Sequence, residues 1–325
     1  MPRRARLDIA GALHHIMVRG GNRSPIFLDD EDRARFLKRL GEKVTEGKCD
    51  VYAWVLMANH VHLLFKTGEQ GISTVMRRVL TWYAQYFNRR HHRTGHLFEN
   101  RYKSILCEEK TYLLSLVRYI HLNPVRGKIT ATLDDLDRYP WSGHSALMGR
   151  AKHPWMSTDF ILSQFGSKKS AARRAYHTFM AEGMGLGKQP ELTGGGLIRS
   201  KGGWSQVLAA RGRYEKEESD ERILGDGDFV TRVLKEAEEK TRRQLRIRKS
   251  GGNIEKIIEE ECRRGGVAIK EIKAGSRRRK VSAVRARIAK YGIEELGLSL
   301  AEVARKLGVN TSSVARAVTR GESMP

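Results

Sequence analysis

The first 125 residues alternate between short apolar runs and longer segments with apolar side chains at helical spacing. Four runs predict β-strands, namely LHHIMVR, DVYAWVLMAN, HVHLLFKT and HLFENRYKSILCE. The second and third runs are adjacent, and they predict either two strands or one long bent strand. Three longer segments, starting near residues 29, 71 and 111, predict helices. We expect the third helix to end near Asn123, because Pro124 lacks a backbone donor and restricts the residue before it.

The resulting order β-α-β-β-α-β-α predicts an α+β domain of ferredoxin-like or RRM-like plan, an antiparallel sheet with helices on one face. A glycine-rich stretch near 185–200 predicts a linker, and the segments after it have only helical periodicity. The sequence therefore predicts an α+β domain at 1–150, a helical extension and linker at 151–200, and an all-α domain at 201–325. A helix-turn-helix is predicted at about 299–320.

The net charge of the chain indicates the class of its binding partner. The net charge is +24 and the pI is about 10.2. Residues 1–150 carry 25 basic and 15 acidic side chains, and the remainder carries 36 and 22, so both halves are basic. Solubility alone would be served by a smaller excess. The charge favours a polyanionic partner, with nucleic acid ahead of a membrane surface.

The cysteines and the apolar runs indicate the compartment. Cys49, Cys107 and Cys262 are widely spaced and odd in number, which gives neither a disulfide framework nor a zinc motif. No apolar run reaches the roughly 18 residues that a membrane span needs, and the basic N-terminus lacks the long apolar core of a signal peptide. We expect a cytoplasmic protein that does not enter membranes and that associates with the bacterial nucleoid.

Candidate metal chemistry lies in the third strand. His60 and His62 are two residues apart, so their side chains share one face of a strand and can converge on one ion. Two histidines that form hydrogen bonds at a sheet surface are the structural alternative. The third predicted helix offers Asn123, whose carbonyl oxygen suits Mg²⁺ or Mn²⁺. Tyr119 lies one turn before it on the same helical face, with core packing as its alternative role.

NHVHLLF followed by RYIHLNPVRG resembles the single-tyrosine HUH transposases, in particular the REP-associated tyrosine transposases of bacteria. The resemblance covers about residues 5–150. It implies a ferredoxin-like catalytic domain with His60, His62 and Asn123 as ligands of a divalent ion, Mg²⁺ or Mn²⁺. It also implies that Tyr119 attacks single-stranded or hairpin DNA and forms a 5′-phosphotyrosine bond, and that the protein is a monomer or a homodimer. Tyr112 is a rival nucleophile on the same helix, and His121 is expected to pack.

Basic residues interleaved with aromatic ones follow the second helix, in NRRHHRTGHLFENRYKS. Such a pattern suits single-stranded or hairpin DNA, whereas a solvated helix end is the alternative. The predicted DNA contacts there are Arg89, Arg90, Arg93, Arg101 and Lys103. Arg19, Arg23 and Arg126 are weaker candidates for phosphate contacts.

The C-terminal segment LSLAEVARKLGVNTSSVARAV fits a helix-turn-helix, with Gly308 at the turn and either Asn310 or Thr311 as the cap of the second helix. A helical hairpin used only for packing is the alternative. The residues that would face the major groove of duplex DNA are Thr311, Ser312, Ser313 and Arg316. About residues 225–320 resemble the DNA-binding domain of the bacterial chromosomal replication initiator. That resemblance implies further duplex contacts from Ser276, Arg277, Arg278, Arg279 and Lys280.

Three functions compete at this point. The first is a metal-dependent DNA transposase that cleaves and rejoins single strands. The second is a non-catalytic, sequence-specific DNA-binding regulator, in which the sheet only holds nucleic acid. The third is a replication initiator or relaxase, a class that usually carries three histidines at the ion where this chain offers Asn123.

Overall fold

The structure is a computed structural model that describes residues 7–187, 189, 192, 220–249, 253–276 and 278–321. The chain divides into two compact units, Met1–Arg232 and Val233–Pro325. Residues 193–200, which make up half of the predicted linker, lie outside the described residues. The predicted boundaries at 150 and 200 stay a prediction.

The first unit is built on a sheet whose described strands have the order β2-β3-β1-β4-β5. The strands are β1 (Leu13–Arg19), β2 (Asp50–Met57), β3 (His60–Lys66), β4 (Lys103–Cys107) and β5 (Ile223–Leu224). β1 pairs antiparallel with β3 and β4, and β3 pairs antiparallel with β2, as predicted. β5 pairs in parallel with β4 and makes the sheet mixed. A strand of two residues has too little alternation for its pattern to predict it.

Helices follow the strands in the predicted order, β1-α1-β2-β3-α2-β4-α3, which confirms the α+β fold. The α-helices described up to residue 187 are α1 (Asp30–Glu46), α2 (Ile72–Arg90), α3 (Glu109–His121), α4 (Asn123–Arg126), α5 (Leu133–Arg138), α6 (Gly143–Leu147), α7 (Thr158–Ser163) and α8 (Lys169–Met184). α1 shows why the pattern succeeds. Its first turn is capped by the Asp29 side chain, its apolar residues Phe36 and Leu40 are fully buried, and it ends before Gly47.

The turn between β2 and β3 and the end of α3 position the candidate site. Ala58 and Asn59 alone separate the two strands, so His60 is the first residue of β3. α3 ends at His121, and the chain continues as the short helix α4 with Pro124 in its first turn. Proline is tolerated there because the first backbone N–H groups of a helix have no partner within it.

Both faces of the sheet are covered, whereas the sequence predicted helices on one face. Ile16 and Leu63 on one face are fully buried, and so are His15 and Leu64 on the other. α3 contacts β2 and β3 and shields the face that carries His15, His60 and His62. The physical reason is that the apolar side of α3 needs a partner, and the second face of the sheet supplies it.

The extension after the sheet packs onto α3. The guanidinium carbon of Arg118 lies 4.2 Å from the ring centroid of Phe179 on α8, a cation–π contact. The Tyr176 hydroxyl on α8 lies 2.8 Å from Nδ1 of His121 and 2.9 Å from Nδ1 of His144. α8 therefore braces the helix that carries Tyr119.

The described residues of the second unit are helical, as predicted for the C-terminal domain. Helix α9 (Gly227–Lys249) contains the point of division, and after it come α10 (Ile254–Arg264), α11 (Ile269–Lys273), α12 (Arg279–Glu294), α13 (Leu300–Leu307) and α14 (Thr311–Gly321). Their core includes Ile258, Ile288, Val303 and Val314, all at most 3% exposed. The pattern of these side chains is the apolar stripe expected for helices that bury one side.

Helices α13 and α14, with the turn between them, occupy the segment that is predicted as a helix-turn-helix. Gly308 ends α13 in the left-handed conformation with φ of 63°, and a Cβ there would lie 2.4 Å from the carbonyl oxygen of Lys273. Only glycine fits both constraints without strain. The Asn310 side chain accepts a hydrogen bond from the backbone N–H of Ser313 at 2.7 Å, so Asn310, not Thr311, caps α14.

Across the described residues, none of the helices has the length and apolar character needed to cross a membrane.

Candidate active site

The site begins on one face of the sheet, where β1 and β3 run side by side. Arg19 is opposite His60 and Met17 is opposite His62 in the register of the two strands. Facing residues of antiparallel strands project to the same side, so His15, Arg19, His60 and His62 share this face. The ring centroids of His60 and His62 lie 5.2 Å apart. The structure thus brings the predicted imidazole pair together and adds His15 and Arg19 beside it.

A hydrogen bond to the turn orients His60. Nδ2 of Asn59 donates to the carbonyl oxygen of Arg23 at 3.0 Å, which leaves Oδ1 of Asn59 facing Nδ1 of His60 at 2.7 Å. Because an amide oxygen only accepts, Nδ1 of His60 carries the proton and Nε2 keeps its lone pair. Burial, together with the charge of Arg19, lowers the pKa of His60 to about 4. The ring is therefore neutral at pH 7, as a metal ligand must be.

His62 is held in a comparable way by His15. Its Nδ1 lies 2.9 Å from Nε2 of His15, and both side chains are buried. Burial holds the pKa of His62 well below its ordinary value, and the neighbouring histidines act in the same direction. Both imidazoles of the pair therefore use Nδ1 in a hydrogen bond to the protein, and Nε2 is the nitrogen outside those bonds.

Tyr119 lies over this part of the sheet, in the last turn of α3. Its ring centroid is 6.1 Å from that of His62 and 5.9 Å from that of His15, both with edge-to-face geometry. The guanidinium carbon of Arg126 lies 4.9 Å from the centroid of the Tyr119 ring, and Nη1 donates to the Tyr119 carbonyl oxygen at 2.9 Å. A single chain thus supplies the imidazole pair, the phenol and a neighbouring cation.

Asn123 is tied to the same turn of helix. Its Nδ2 donates to the carbonyl oxygens of Tyr119 and Ile120 at 3.0 and 3.1 Å. The amide nitrogen therefore points into its own helix end, and Oδ1 is the opposite end of the same amide. The prediction that Asn123 lies one turn from Tyr119 matches these bonds. Its role as a ligand stays a prediction.

The donor set fits a divalent ion. Two neutral imidazoles that each keep Nε2 outside their protein hydrogen bonds, with an amide oxygen on the covering helix, match the N and O ligands of Mn²⁺ and, less closely, of Mg²⁺. Hydrogen bonds to the second ring nitrogen, as Asn59 and His15 provide, are the usual support of ligating histidines.

A three-histidine site is not formed by the described residues. His15, His60 and His62 do not bring three ligand atoms within 4.8 Å of one another. The described His, Cys, Asp and Glu side chains that do so are Asp134, Asp137 and His177, in the region of α5 and α8. Asp137 also accepts from Nε2 of His144 at 2.7 Å.

The rival residues on α3 have other surroundings. Tyr112 lies at the start of the helix, seven residues before Tyr119, and it is half-buried against the core. His121 is fully buried, and its Nδ1 bonds to the Tyr176 hydroxyl, which agrees with the packing role expected for it.

The basic residues predicted to contact DNA on the first unit have different environments. Arg89, Arg93, Arg101 and Lys103 are exposed. Arg90 forms ion pairs with Asp29 and Asp32 at 2.7 and 2.6 Å, which join α2 to α1. These bonds engage its guanidinium in the fold.

In the second unit the predicted contacts lie largely at the surface. Arg278, Arg279 and Lys280 are exposed at the start of α12, and Arg277 lies outside the described residues. Thr311, Ser312 and Arg316 on α14 are exposed, and Ser313 is half-buried. Val314 is fully buried, so the polar side of α14 faces solvent.

Sequence reasoning missed His15 and Asn59 and ranked Arg19 low. The alternation of LHHIMVR places His15 and Arg19 on one strand face, which is a usable signal. That this face pairs with the His60 face depends on the register of β1 with β3, which no local pattern contains.

Residues 9–123 match the family described as "Transposase IS200 like". This segment includes His60, His62, Tyr119 and Asn123, and the match confirms the predicted kinship with the tyrosine transposases over that range. The match thus gives residues 9–123 a similarity to IS200-like transposases, and these residues lie within the first unit.

Among solved structures, this chain is similar to a REP-associated tyrosine transposase bound to a REP hairpin. The two share 18% sequence identity with a TM-score of 0.38, over 48% of this chain and 92% of the other. No curated protein matches this chain. The resemblance of residues 225–320 to the replication initiator stays a prediction.

Proposed function

We propose that the first unit cleaves and rejoins single-stranded or hairpin DNA through a 5′-phosphotyrosine intermediate, with Mg²⁺ or Mn²⁺ as its cofactor. The single observation that carries this proposal is the position of the Tyr119 ring on α3. Its centroid lies 6.1 Å from that of His62, over a sheet face that carries two neutral imidazoles. Tyr119 and His62 both lie in residues 9–123, which match the IS200-like transposase family, and this match supports the same reaction class.

The chemistry is a transesterification. The phenolic oxygen of Tyr119 forms a bond to phosphorus while the bond between phosphorus and the 3′ oxygen breaks. The phenolic proton passes to solvent, and the released oxygen takes up a proton to become a 3′-OH. Rejoining reverses the step with another 3′-OH, and no ATP is needed because the ester is conserved.

The chain's own residues prepare this step. A phenol has an ordinary pKa of about 10 and is a weak nucleophile at pH 7. The guanidinium of Arg126 over the ring favours the phenolate. A divalent ion at His60, His62 and Asn123 would polarise the scissile phosphate. Arg19, which is opposite His60 in the register, would contact a phosphate oxygen.

We expect the DNA to bind along the exposed basic side chains. Arg89, Arg93, Arg101 and Lys103 would contact the backbone of the single strand or hairpin. The exposed polar side of α14 and the basic start of α12 would read duplex DNA. Together these features favour an enzyme that joins a nicking unit to a duplex-binding unit, in the bacterial cytoplasm at the nucleoid.

An adduct assay tests the proposal. The full chain is incubated with labelled single-stranded hairpin DNA and Mn²⁺ or Mg²⁺, and the products are separated under denaturing conditions. The wild type should give a covalent protein–DNA band that EDTA prevents. Tyr119→Phe should abolish the band, and His60→Ala with His62→Ala should reduce it by at least 100-fold.

Tyr112→Phe is the matched control, since it removes a hydroxyl from the same helix two turns away. It should retain wild-type adduct formation. An adduct that persists in Tyr119→Phe would overturn the assignment of the nucleophile. Tight binding with no adduct on any hairpin, independent of added metal, would favour the non-catalytic DNA-binding regulator.

A further inference from the structure

His15 is a buried polar residue at the centre of the site that neither the motif nor the proposed chemistry requires. It lies on β1, and its side chain is fully buried. In the register, His15 is opposite Leu64 and Met17 is opposite His62, so His15 and His62 are diagonal neighbours on one face. Their rings lie 5.2 Å apart at a tilt of 31°.

The contact between the two histidines is polar. Nε2 of His15 lies 2.9 Å from Nδ1 of His62, so one of these nitrogens donates and the other accepts. An apolar residue at position 15 would fill the same volume but would leave Nδ1 of His62 buried without this partner. Such a loss costs more than the bond itself contributes, because the buried group cannot return to water.

The direction of this bond decides what His62 can do. If Nδ1 of His62 donates to His15, then Nε2 of His62 keeps its lone pair for a ligand. His60 is fixed in that same tautomer by Asn59. Two imidazoles with the same tautomer on one strand face can both direct Nε2 at one ion, whereas opposite tautomers cannot.

We propose that His15 is a positioning residue, which accepts a hydrogen bond from Nδ1 of His62 and thereby holds Nε2 of His62 as the ion-facing nitrogen. This inference rests on the proposed function only for the identity of the ligand. The edge of the His15 ring also lies against Tyr119, with centroids 5.9 Å apart at 73°. One buried side chain therefore sets the orientation of a candidate ligand and borders the candidate nucleophile.

Two matched variants separate the hydrogen bond from packing. His15→Gln places an amide near the position of Nε2 and can still accept from His62. His15→Asn places its amide near the position of Nδ1, too short to reach. Both are polar and buried, so a loss of stability affects them alike, and thermal melting followed by circular dichroism compares their folds.

The first measurement needs no metal and no DNA. ¹⁵N-edited NMR of the imidazole rings in the full chain reports which nitrogen of His62 carries the proton. Nδ1 should be protonated in the wild type and in His15→Gln, and the Nδ1-protonated population should fall in His15→Asn. An Nε2-protonated His62 in the wild type, or the same spectrum in His15→Asn as in the wild type, would overturn the inference.

The second measurement is the Kd for Mn²⁺, from titration calorimetry of the full chain. Loss of a hydrogen-bond partner behind a ligating histidine typically weakens metal affinity about 10–100-fold. His15→Asn should show that loss and His15→Gln should lie within a few-fold of the wild type. Equal affinities in the two variants would contradict the role of His15. A failed adduct assay with the predicted NMR result would overturn the proposed function and leave the tautomer assignment intact.

Discussion

Tyr176→Phe removes one oxygen atom from the buried network that joins α8 to α3. Asp137 accepts from Nε2 of His144 at 2.7 Å, and burial lowers the pKa of His144, so this ring is neutral with its proton on Nε2. Nδ1 of His144 must then accept, and the Tyr176 hydroxyl donates to it. The same oxygen is left to accept from Nδ1 of His121. The network therefore has one defined direction.

The magnitude follows from the number of groups left without partners. Phenylalanine keeps the ring of Tyr176 and its packing, but it deprives both His121 and His144 of a hydrogen bond. Each buried polar group left unsatisfied costs about 1–3 kcal/mol, so the free energy of unfolding should fall by about 2–6 kcal/mol. Tyr83→Phe is the matched control. Tyr83 is equally buried, but its hydroxyl donates to one acceptor, the carbonyl oxygen of Ile26 at 2.6 Å.

Urea unfolding followed by tryptophan fluorescence measures the difference. The five tryptophans all belong to residues 1–232, so the signal reports on the first unit. Tyr176→Phe should lose more stability than Tyr83→Phe, by roughly 1–3 kcal/mol, since it leaves two groups unsatisfied instead of one. An equal or smaller loss in Tyr176→Phe would refute the assignment of a network with two dependent imidazoles.

Three further predictions concern charge and backbone. Burial lowers the pKa of His14 to about 4. Between pH 6.5 and pH 4 only the unfolded chain binds this proton, so about 3 kcal/mol of the stability present above pH 6.5 should be lost as the pH falls to 4. His14→Asn should reduce the dependence of the urea unfolding midpoint on pH across that range. Arg90→Ala should lower the free energy of unfolding by about 1–3 kcal/mol, because it leaves the buried carboxylate of Asp32 without its ion pair to Arg90. Arg89→Ala should change stability by less than about 0.5 kcal/mol and should weaken hairpin binding in a gel-shift assay. Equal stability of the two variants would contradict the role of the ion pair. Gly308→Ala should destabilise the second unit by at least about 1–2 kcal/mol because of its left-handed backbone, which would appear as a lower melting temperature and weaker duplex binding with adduct formation intact.

Local physics made a large part of this protein predictable from its sequence. Period-two alternation and helical spacing gave the order of strands and helices, because both patterns arise from the geometry of a single element. The same periods placed His60 with His62, and Tyr119 with Asn123, since partners two apart on a strand or four apart on a helix share a face. The turn glycine at 308 was equally predictable, because its conformation is a local constraint.

The tertiary structure decided which distant residues meet. The register of β1 with β3 brought His15 and Arg19 to the imidazole pair, and a shift of one residue would have turned both to the other face. The packing of α3 on that face set Tyr119 beside His62, and the ion pairs between α1 and α2 engage Arg90 in the fold, while its role as a DNA contact stays a prediction. These contacts join residues that are 40 or more positions apart in the chain. A periodic pattern records the geometry of one element, and pairing between elements is settled by the free energy of burying all of them together.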